Sequence, residues 1–216
     1  MIRTLVLKSS ILGSDSVSNR LVDRLVTEIE SRGTKLDISS RDLSLAPVPA
    51  LDAERLTALT TAPERRNARQ RELVEVADAL IAELQAAELL VIGAPMYNFS
   101  IPAGLKAWID QVARAGVTFR YTNKGAEGLL KNRQAVVISS MGGEHQPGET
   151  DHLRPYLKTV LNFLGLDRVS FVAATGLNLG VESRNRALEQ AGARIEVLAD
   201  QLSGTLTVPH SSKEAA

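Results

Sequence analysis

Residues Leu89 to Ala94 form a short, unbroken apolar run, Leu-Leu-Val-Ile-Gly-Ala, that stops at Pro95. Periodicity alone does not separate such a run from a segment of buried helix. This one is too short for a typical helix and ends at a residue that breaks helices, so it reads as a strand buried on both faces. Met96-Tyr-Asn-Phe-Ser-Ile follow, and Pro102 sits where the next helix can start, because its fixed φ and missing N–H suit a first helical turn. Ligands of open parallel sheets bind in the crevice outside the carboxyl ends of the strands. An aromatic-rich turn at that place can offer free backbone N–H groups and an apolar surface to a flat ring. It can equally be a loop whose aromatics cap the core.

The same alternation continues on both sides. Arg3 to Lys8 reads as a first central strand, and a serine-rich loop (Ser9, Ser10, Ser14, Ser16, Ser18) leads into a helix whose apolar stripe is Leu21, Val22, Leu25, Val26 and Ile29, stopped at Gly33. Unpaired N–H groups, a positive dipole end and neutral hydroxyl donors make such a loop a candidate phosphate site. Ordinary N-capping by Ser16 or Ser18 explains part of the same pattern without a ligand. The loop is neither the G-x-G-x-x-G dinucleotide fingerprint nor a Walker A motif, so a mononucleotide fits it better.

Lys35 to Asp42 reads as a second, less buried strand, and Leu43 to Arg66 as irregular, with one short helix near 52–59. A long helix is expected from Asn67 to Ala87, with Leu73, Val76, Ala77, Leu80, Ile81 and Leu84 on its apolar face. Arg65, Arg66, Arg69 and Arg71 crowd its start, where the dipole disfavours cations, and read as a solvated face. Ala103 to Val112 is helical. The segment after it, with Val117, Phe119 and Tyr121 alternating and a turn at Asn123-Lys-Gly125, reads as an insertion that roofs a pocket, with core packing an equal alternative for Phe119.

Gln134 to Ser140 is another buried strand, ending in Ser139-Ser-Met-Gly-Gly-Glu-His145. Gly142 and Gly143 can let the backbone approach a ligand closely, or form a plain turn. A helix over 152–164, a fifth strand over Val169–Ala174 and an amphipathic helix over 182–202 complete the pattern. Five strands alternating with helices predict a doubly wound α/β fold, flavodoxin-like, with strand order 2-1-3-4-5 and helices on both faces. One domain is expected over residues 1–203, with a disordered tail over 204–216.

Composition narrows the function. The 216 residues carry 25 Lys+Arg and 25 Asp+Glu, a formal charge of zero that supports neither a nucleic-acid footprint nor an acidic-lipid surface. There is no cysteine, hence no disulfide and no thiolate nucleophile, and His145, His152 and His210 are too scattered to predict a metal site. No apolar run approaches the roughly 18 residues of a membrane span. No signal-peptide pattern opens the chain, so the expected location is cytoplasmic. A phosphate held at the first loop and a flat ring between the second and third describe flavin mononucleotide.

Lys8-Ser-Ser-Ile-Leu12, Ser16-Val-Ser18, Ala94-Pro-Met-Tyr-Asn-Phe99, Ala113-Arg-Ala-Gly-Val-Thr-Phe-Arg-Tyr121 and Gly142-Gly143 closely resemble the signatures of the FMN-dependent NADH azoreductases, which also act as quinone reductases. The resemblance extends to about Leu202. It implies a homodimer with two non-covalent FMN sites at its interface, NADH or NADPH as electron donor, and quinones and aromatic azo compounds as acceptors. By position, Ser10, Ser16, Val17 and Ser18 would hold the phosphate. Met96, Tyr97, Asn98 and Phe99 would line the isoalloxazine, with the Asn98 N–H near flavin N5. Ser140, Met141, Gly142 and Gly143 would flank the pyrimidine end, and His145 the ring. Phe119, Tyr121 and Phe163 would form an aromatic substrate surface, partly from the second subunit. Met141 stands where relatives can carry a polar or basic side chain. No catalytic side chain is implied, since the flavin carries the chemistry. A flavodoxin-type electron carrier is the alternative. Against it stand the neutral charge and the extensions at Leu43–Arg66 and Gly116–Leu130.

Overall fold

In the computed structural model, which describes residues 1–206, every residue of the Leu89–Pro95 strand is buried. In chain order the strands are β1 (Ile2–Lys8), β2 (Leu36–Asp42), β3 (Leu89–Pro95), β4 (Phe119–Thr122), β5 (Gly125–Gly128), β6 (Gln134–Ser140) and β7 (Arg168–Ala174). The helices are α1 (Val17–Ser31), α2 (Ala53–Thr60), α3 (Ala68–Ala86), α4 (Ala103–Val112), α5 (Leu153–Leu164) and α6 (Val181–Leu206). Five strands pair in parallel in the order β2-β1-β3-β6-β7, while β4 and β5 form a separate antiparallel ribbon. With the ribbon set aside, this is the expected 2-1-3-4-5 order.

Burial on both faces follows from how the helices divide. One core packs Val22, Leu25 and Ile29 of α1 and Ile195 and Leu198 of α6 against Val91, Val136 and Val172. The other packs α3, α4 and α5, including Leu80, Trp108 and Leu157, against Leu5, Leu7, Leu90, Ile92 and Val137. Successive strand residues thus feed opposite cores, which is why β3 reads as apolar throughout. β2 and β7 are the edge strands, and the central residues of β2, Asp37 to Ser40, are exposed.

Local chemistry sets the helix ends. Ser16 caps α1, its Oγ accepting from Asn19 N–H at 3.2 Å, and Gly33 (φ 83°) follows the helix in the left-handed region. Asn67 and Gln70 close a reciprocal capping box on α3. Within α3, Val74 is buried and Val76 only partly so.

The arginine cluster before α3 differs from the expected solvated face at one position. Arg66 is buried, and its Nε donates to the carbonyls of Ala58 (3.2 Å) and Thr61 (3.0 Å), satisfying the C-terminal end of α2. Arg69 pairs with Glu54 and Glu72. Helix α6 runs to Leu206, so the first three residues of the expected tail are helical, and residues 207–216 lie outside the described ones. Among the described residues no helix is long and apolar enough to cross a membrane.

The ribbon is seated on the end of α5 by a backbone-to-backbone contact. Leu130 N–H donates to Leu164 O at 2.9 Å, and Gly165 (φ 102°) ends the helix. A Cβ placed on Gly128 would lie 2.1 Å from the Gly165 nitrogen, which cannot move aside as a flexible side chain could. Gly128→Ala is therefore expected to destabilise the protein by about 2 kcal/mol. For a chain of this size that lowers the thermal midpoint by about 4–8 °C. An unchanged melting curve would show that the ribbon does not depend on this contact.

Candidate functional site

The strands of a parallel sheet all end on one edge, and the loops after β1, β3, β6 and β7 meet there. Between β1 and β3 the chain leaves the sheet in opposite directions, to α1 on one face and to α4 on the other, which opens a crevice. A cavity of about 320 Å³ occupies it. Of the residues expected to bind a cofactor, Ser10, Ser16, Val17, Met96, Tyr97, Ser140, Met141 and Gly142 line this cavity.

The serine loop serves structure and site together. Ser9 Oγ donates to Gly93 O at 2.7 Å, tying the end of β1 to β3. Ser10 Oγ lies 3.2 Å from the Tyr97 hydroxyl, which also accepts from Ile11 N–H at 3.2 Å, so the first and second loops are joined. Ser16 Oγ caps α1 and contacts Ser18 Oγ at 3.0 Å. Asn19 N–H is held by the Ser16 side chain and Arg20 N–H by the Ser16 carbonyl. Among the described residues the N–H groups of Val17 and Ser18 have no partner outside the helix, and the helix dipole adds positive potential there.

The turn after β3 is strained. Tyr97 and Ser100 exchange two backbone hydrogen bonds, at 3.0 and 3.1 Å, around Asn98 (φ 49°) and Phe99 (φ 71°). Positive φ at both central positions is the mark of a type I′ turn, which asparagine tolerates and a bulky residue resists. Holding Phe99 there costs about 1 kcal/mol. His152 N–H donates to Phe99 O at 3.0 Å, and the half-exposed Phe99 ring meets His145 edge-on at 5.6 Å. Among the described residues the Asn98 and Phe99 N–H groups have no backbone partner.

The His145 loop is anchored from below by Asp151. That buried carboxylate accepts from the N–H groups of Leu153 (2.9 Å) and Arg154 (3.0 Å) and pairs with the Arg154 guanidinium, which also donates to His145 O at 3.2 Å.

Gly142 and Gly143 form part of an interlock. Leu177, Asn178 and Gly176 donate their N–H groups to the carbonyls of Met141 (3.1 Å), Gly142 (2.9 Å) and Gly143 (2.9 Å). A Cβ on Gly142 would lie 2.6 Å from Asn178 Nδ2, so the group that approaches Gly142 closely is the Asn178 side chain. A Cβ on Gly143 would press on His145 Nε2 at 3.1 Å. The N–H groups of both glycines have no backbone partner among the described residues. Met141 itself is buried.

Leu12, Asp15, Pro95, Leu177, Asn178 and Arg184 also line the cavity and were not anticipated. Leu177 and Asn178 were within reach. They follow β7 in Thr175-Gly-Leu-Asn-Leu-Gly180, a fourth strand-end loop with two glycines, to which the reasoning used for the other three loops applies equally, and Arg184 stands in the first turn of α6 just after it.

Phe119, Tyr121 and Phe163 come together elsewhere. Phe119 stands 4.4 Å from Phe163 and 5.5 Å from Tyr121 between ring centroids. Phe119 and Tyr121 line a separate cavity of about 420 Å³ with Leu51, Leu56 and Arg114. On the other side of the strained turn, Tyr97, Asn98, Lys106 and Tyr156 border a third cavity of about 470 Å³. Burial pushes the Tyr156 phenol above its ordinary pKa, which keeps it a neutral donor across the physiological range.

A family described as having a flavodoxin-like fold matches residues 2–198. The FMN-dependent NADH:quinone oxidoreductase of Shewanella loihica is 48% identical over 198 residues, 92% of this chain and 99% of that protein. Its namesake from Vibrio vulnificus is 47% identical over the same coverage. Among solved structures, an FMN-dependent NADH-azoreductase from Bacillus anthracis in complex with FMN superposes with a TM-score of 0.84 at 26% identity, covering 94% of this chain and all of that one.

Because the Phe99 ring contributes little to the core and its backbone is strained, Phe99→Asn is expected to stabilise the folded chain by about 1 kcal/mol. The thermal midpoint should then rise by about 2–4 °C. A fall in the midpoint would mean that the contact with His145 outweighs the backbone strain.

Proposed function

The chain belongs to this flavodoxin-like family, and on that premise we propose that it is an FMN-dependent NADH:acceptor oxidoreductase that reduces quinones by two electrons and cleaves aromatic azo compounds to amines. The observation that carries the reading is the set of backbone N–H groups that have no backbone partner among the described residues: Val17 and Gly142 line the crevice, Ser18, Phe99 and Gly143 stand next to lining residues or in the same loops, and Asn98 borders the third cavity across the turn. They come from three different loops, and each loop is pinned by bonds that do not use those donors.

The residues fit FMN. The start of α1 offers uncharged donors and a dipole to the phosphate, with Ser10, Ser16 and Ser18 adding hydroxyls. Met96 to Phe99 offer a flat apolar surface with an N–H at its centre. The glycine loop can place neutral donors at the pyrimidine end, where negative charge accumulates on reduction. Fixed donors aimed at developing charge stabilise it without reorganising.

Bound FMN would accept hydride from the nicotinamide and pass two electrons to the acceptor. Donor and acceptor would take the same place in turn, a ping-pong order, with one round for a quinone and two for an azo bond. No protein acid or base is required, because protons can come from solvent. The type I′ turn would hold Asn98 N–H beside the ring, and the Asp151–Arg154 pair would keep the His145 loop against Phe99. Either NADH or NADPH could serve as donor.

A homodimer suits the remaining features. Tyr121 is 75% exposed and Leu56 51%, beside the buried Phe119, so this aromatic face has apolar area that one subunit leaves uncovered. Phe119, Tyr121 and Phe163 of the partner subunit would then supply the aromatic surface on which the acceptor stacks.

A visible spectrum of the purified protein, followed by NADH without oxygen and then menadione, tests the reading. Yellow protein that bleaches with NADH and regains its colour with the quinone is the expected result. Yellow protein that NADH cannot bleach would indicate an electron carrier instead. In the same assay, Ser16→Ala with Ser18→Ala should weaken FMN binding by about tenfold, the loss of one or two hydrogen bonds to a charged group. The double variant also loses the α1 cap, worth about 1 kcal/mol of stability. Unchanged FMN affinity would remove the phosphate assignment.

A further inference from the structure

We propose that Arg184 supplies the positive charge that holds the cofactor phosphate, and so selects the phosphorylated flavin over riboflavin. This rests on the FMN reading above and deepens it. The serines and N–H groups at the start of α1 are neutral, yet a phosphate monoester carries about −1.5 to −2 charge at neutral pH. Of the cationic side chains near this end of the sheet, Lys8 is engaged by Asp23 at 2.6 Å. Arg20 is exposed and lies outside the cavity lining. Arg184 is the one Lys or Arg that lines the cavity among the described residues.

Its position follows from how α1 and α6 pack. The two helices run parallel on the same face of the sheet. Arg32 pairs with Asp200, 168 positions on. Arg24 lies over Gly192, where a Cβ would come 2.2 Å from its Nη1, and Arg24 Nη2 also reaches Glu196 at 2.7 Å. Carried back to Ser16, the cap of α1, the same offset lands on Arg184 in the first turn of α6. Both helix N-termini therefore point to the same end of the crevice, and their dipoles add.

Arg184 is also free to act. Among the described residues no hydrogen bond or ion pair engages its guanidinium, whereas Arg24, Arg32, Arg41, Arg114 and Arg154 are all paired with carboxylates. Asp15 lines the same cavity without pairing to it. A half-buried guanidinium beside neutral serine and N–H donors, in a cavity that also holds the Asp15 carboxylate, matches a phosphate, to which it can donate two N–H groups from one plane. Stacking of the flavin ring, by contrast, falls to Met96–Phe99 and needs nothing from Arg184.

The test compares FMN with riboflavin on apo-protein by quenching of flavin fluorescence, at low and high salt. Arg184→Ala should raise the Kd for FMN by about tenfold, the scale of one charge-assisted hydrogen bond. It should leave riboflavin within about twofold and flatten the salt dependence of FMN binding. Arg184→Lys should fall between the two, and Arg186→Ala, which removes a charge outside the cavity, should bind both flavins as wild type does. If Arg184→Ala left FMN affinity and its salt dependence unchanged, or weakened both flavins alike, the proposal would be overturned while the flavin reading stood. Wild-type protein that bound neither flavin would overturn the flavin reading and this proposal with it.

Discussion

Parallel pairing of β1 with β3 is the constraint from which the rest of the molecule follows. A parallel ladder cannot be closed by a hairpin, so each strand must return through a helix, and helices on both faces bury β3 completely and the middle of β1 with it. Strand β1 sends its chain to α1 on one face, and β3 sends its chain to α4 on the other. The two connections diverge, and no side chain has to be removed to make the crevice between them. The Ser9–Gly93 bond, from Oγ to carbonyl at 2.7 Å, keeps the two strand ends together while the loops above separate. The site is a product of topology before any functional residue is chosen.

Chemistry at that edge then depends on which backbone groups the loops leave unpaired. In each loop a few bonds hold the shape and the remaining donors stay open. Tyr97 and Ser100 bond to each other across the turn, and this leaves Asn98 and Phe99 between them. The carbonyls of Met141, Gly142 and Gly143 are taken by the loop after β7, while the N–H groups of the two glycines are not. Positive φ at Phe99 is what this arrangement demands, and the strain is tolerated because Phe99 O, Tyr97 and Ser100 are all tied down.

Much of this was legible in the sequence because the signals are local. Apolar runs without alternation mark β1, β3 and β6, and the 21–29 stripe marks α1, since burial on one or two faces writes itself directly into residue order. Three of the four site loops stood out because they follow such strands and contain residues unusual for a plain turn. The fourth, Gly176 to Asn178, carries an equally placed signal, but it follows β7, in which only Val172 and Ala174 are fully buried and whose strand pattern is weaker. Arg66 was misread for a different reason. Its partners, the carbonyls of Ala58 and Thr61, exist only once α2 has ended and turned back, and a charge count along the chain contains no trace of that bend. Likewise, a glycine pair announces close approach without saying by what. At Gly142 the neighbour is Asn178, 36 positions away in sequence and adjacent only through the β6–β7 pairing.

That interlock has a consequence for how the site can vary. The carbonyls of Met141 and Gly142 share peptide planes with the N–H groups of Gly142 and Gly143, and because they accept from Leu177 and Asn178, the direction of those N–H groups is set by the β7 loop. Met141 is buried beneath the same loop, its N–H donating to Ala174 O at 2.8 Å and its carbonyl accepting from Leu177 N–H at 3.1 Å. The Asn178 side chain fills the space beside Gly142, and its N–H fixes the Gly142 carbonyl. A change at Asn178 would therefore act on this end of the cleft through the backbone.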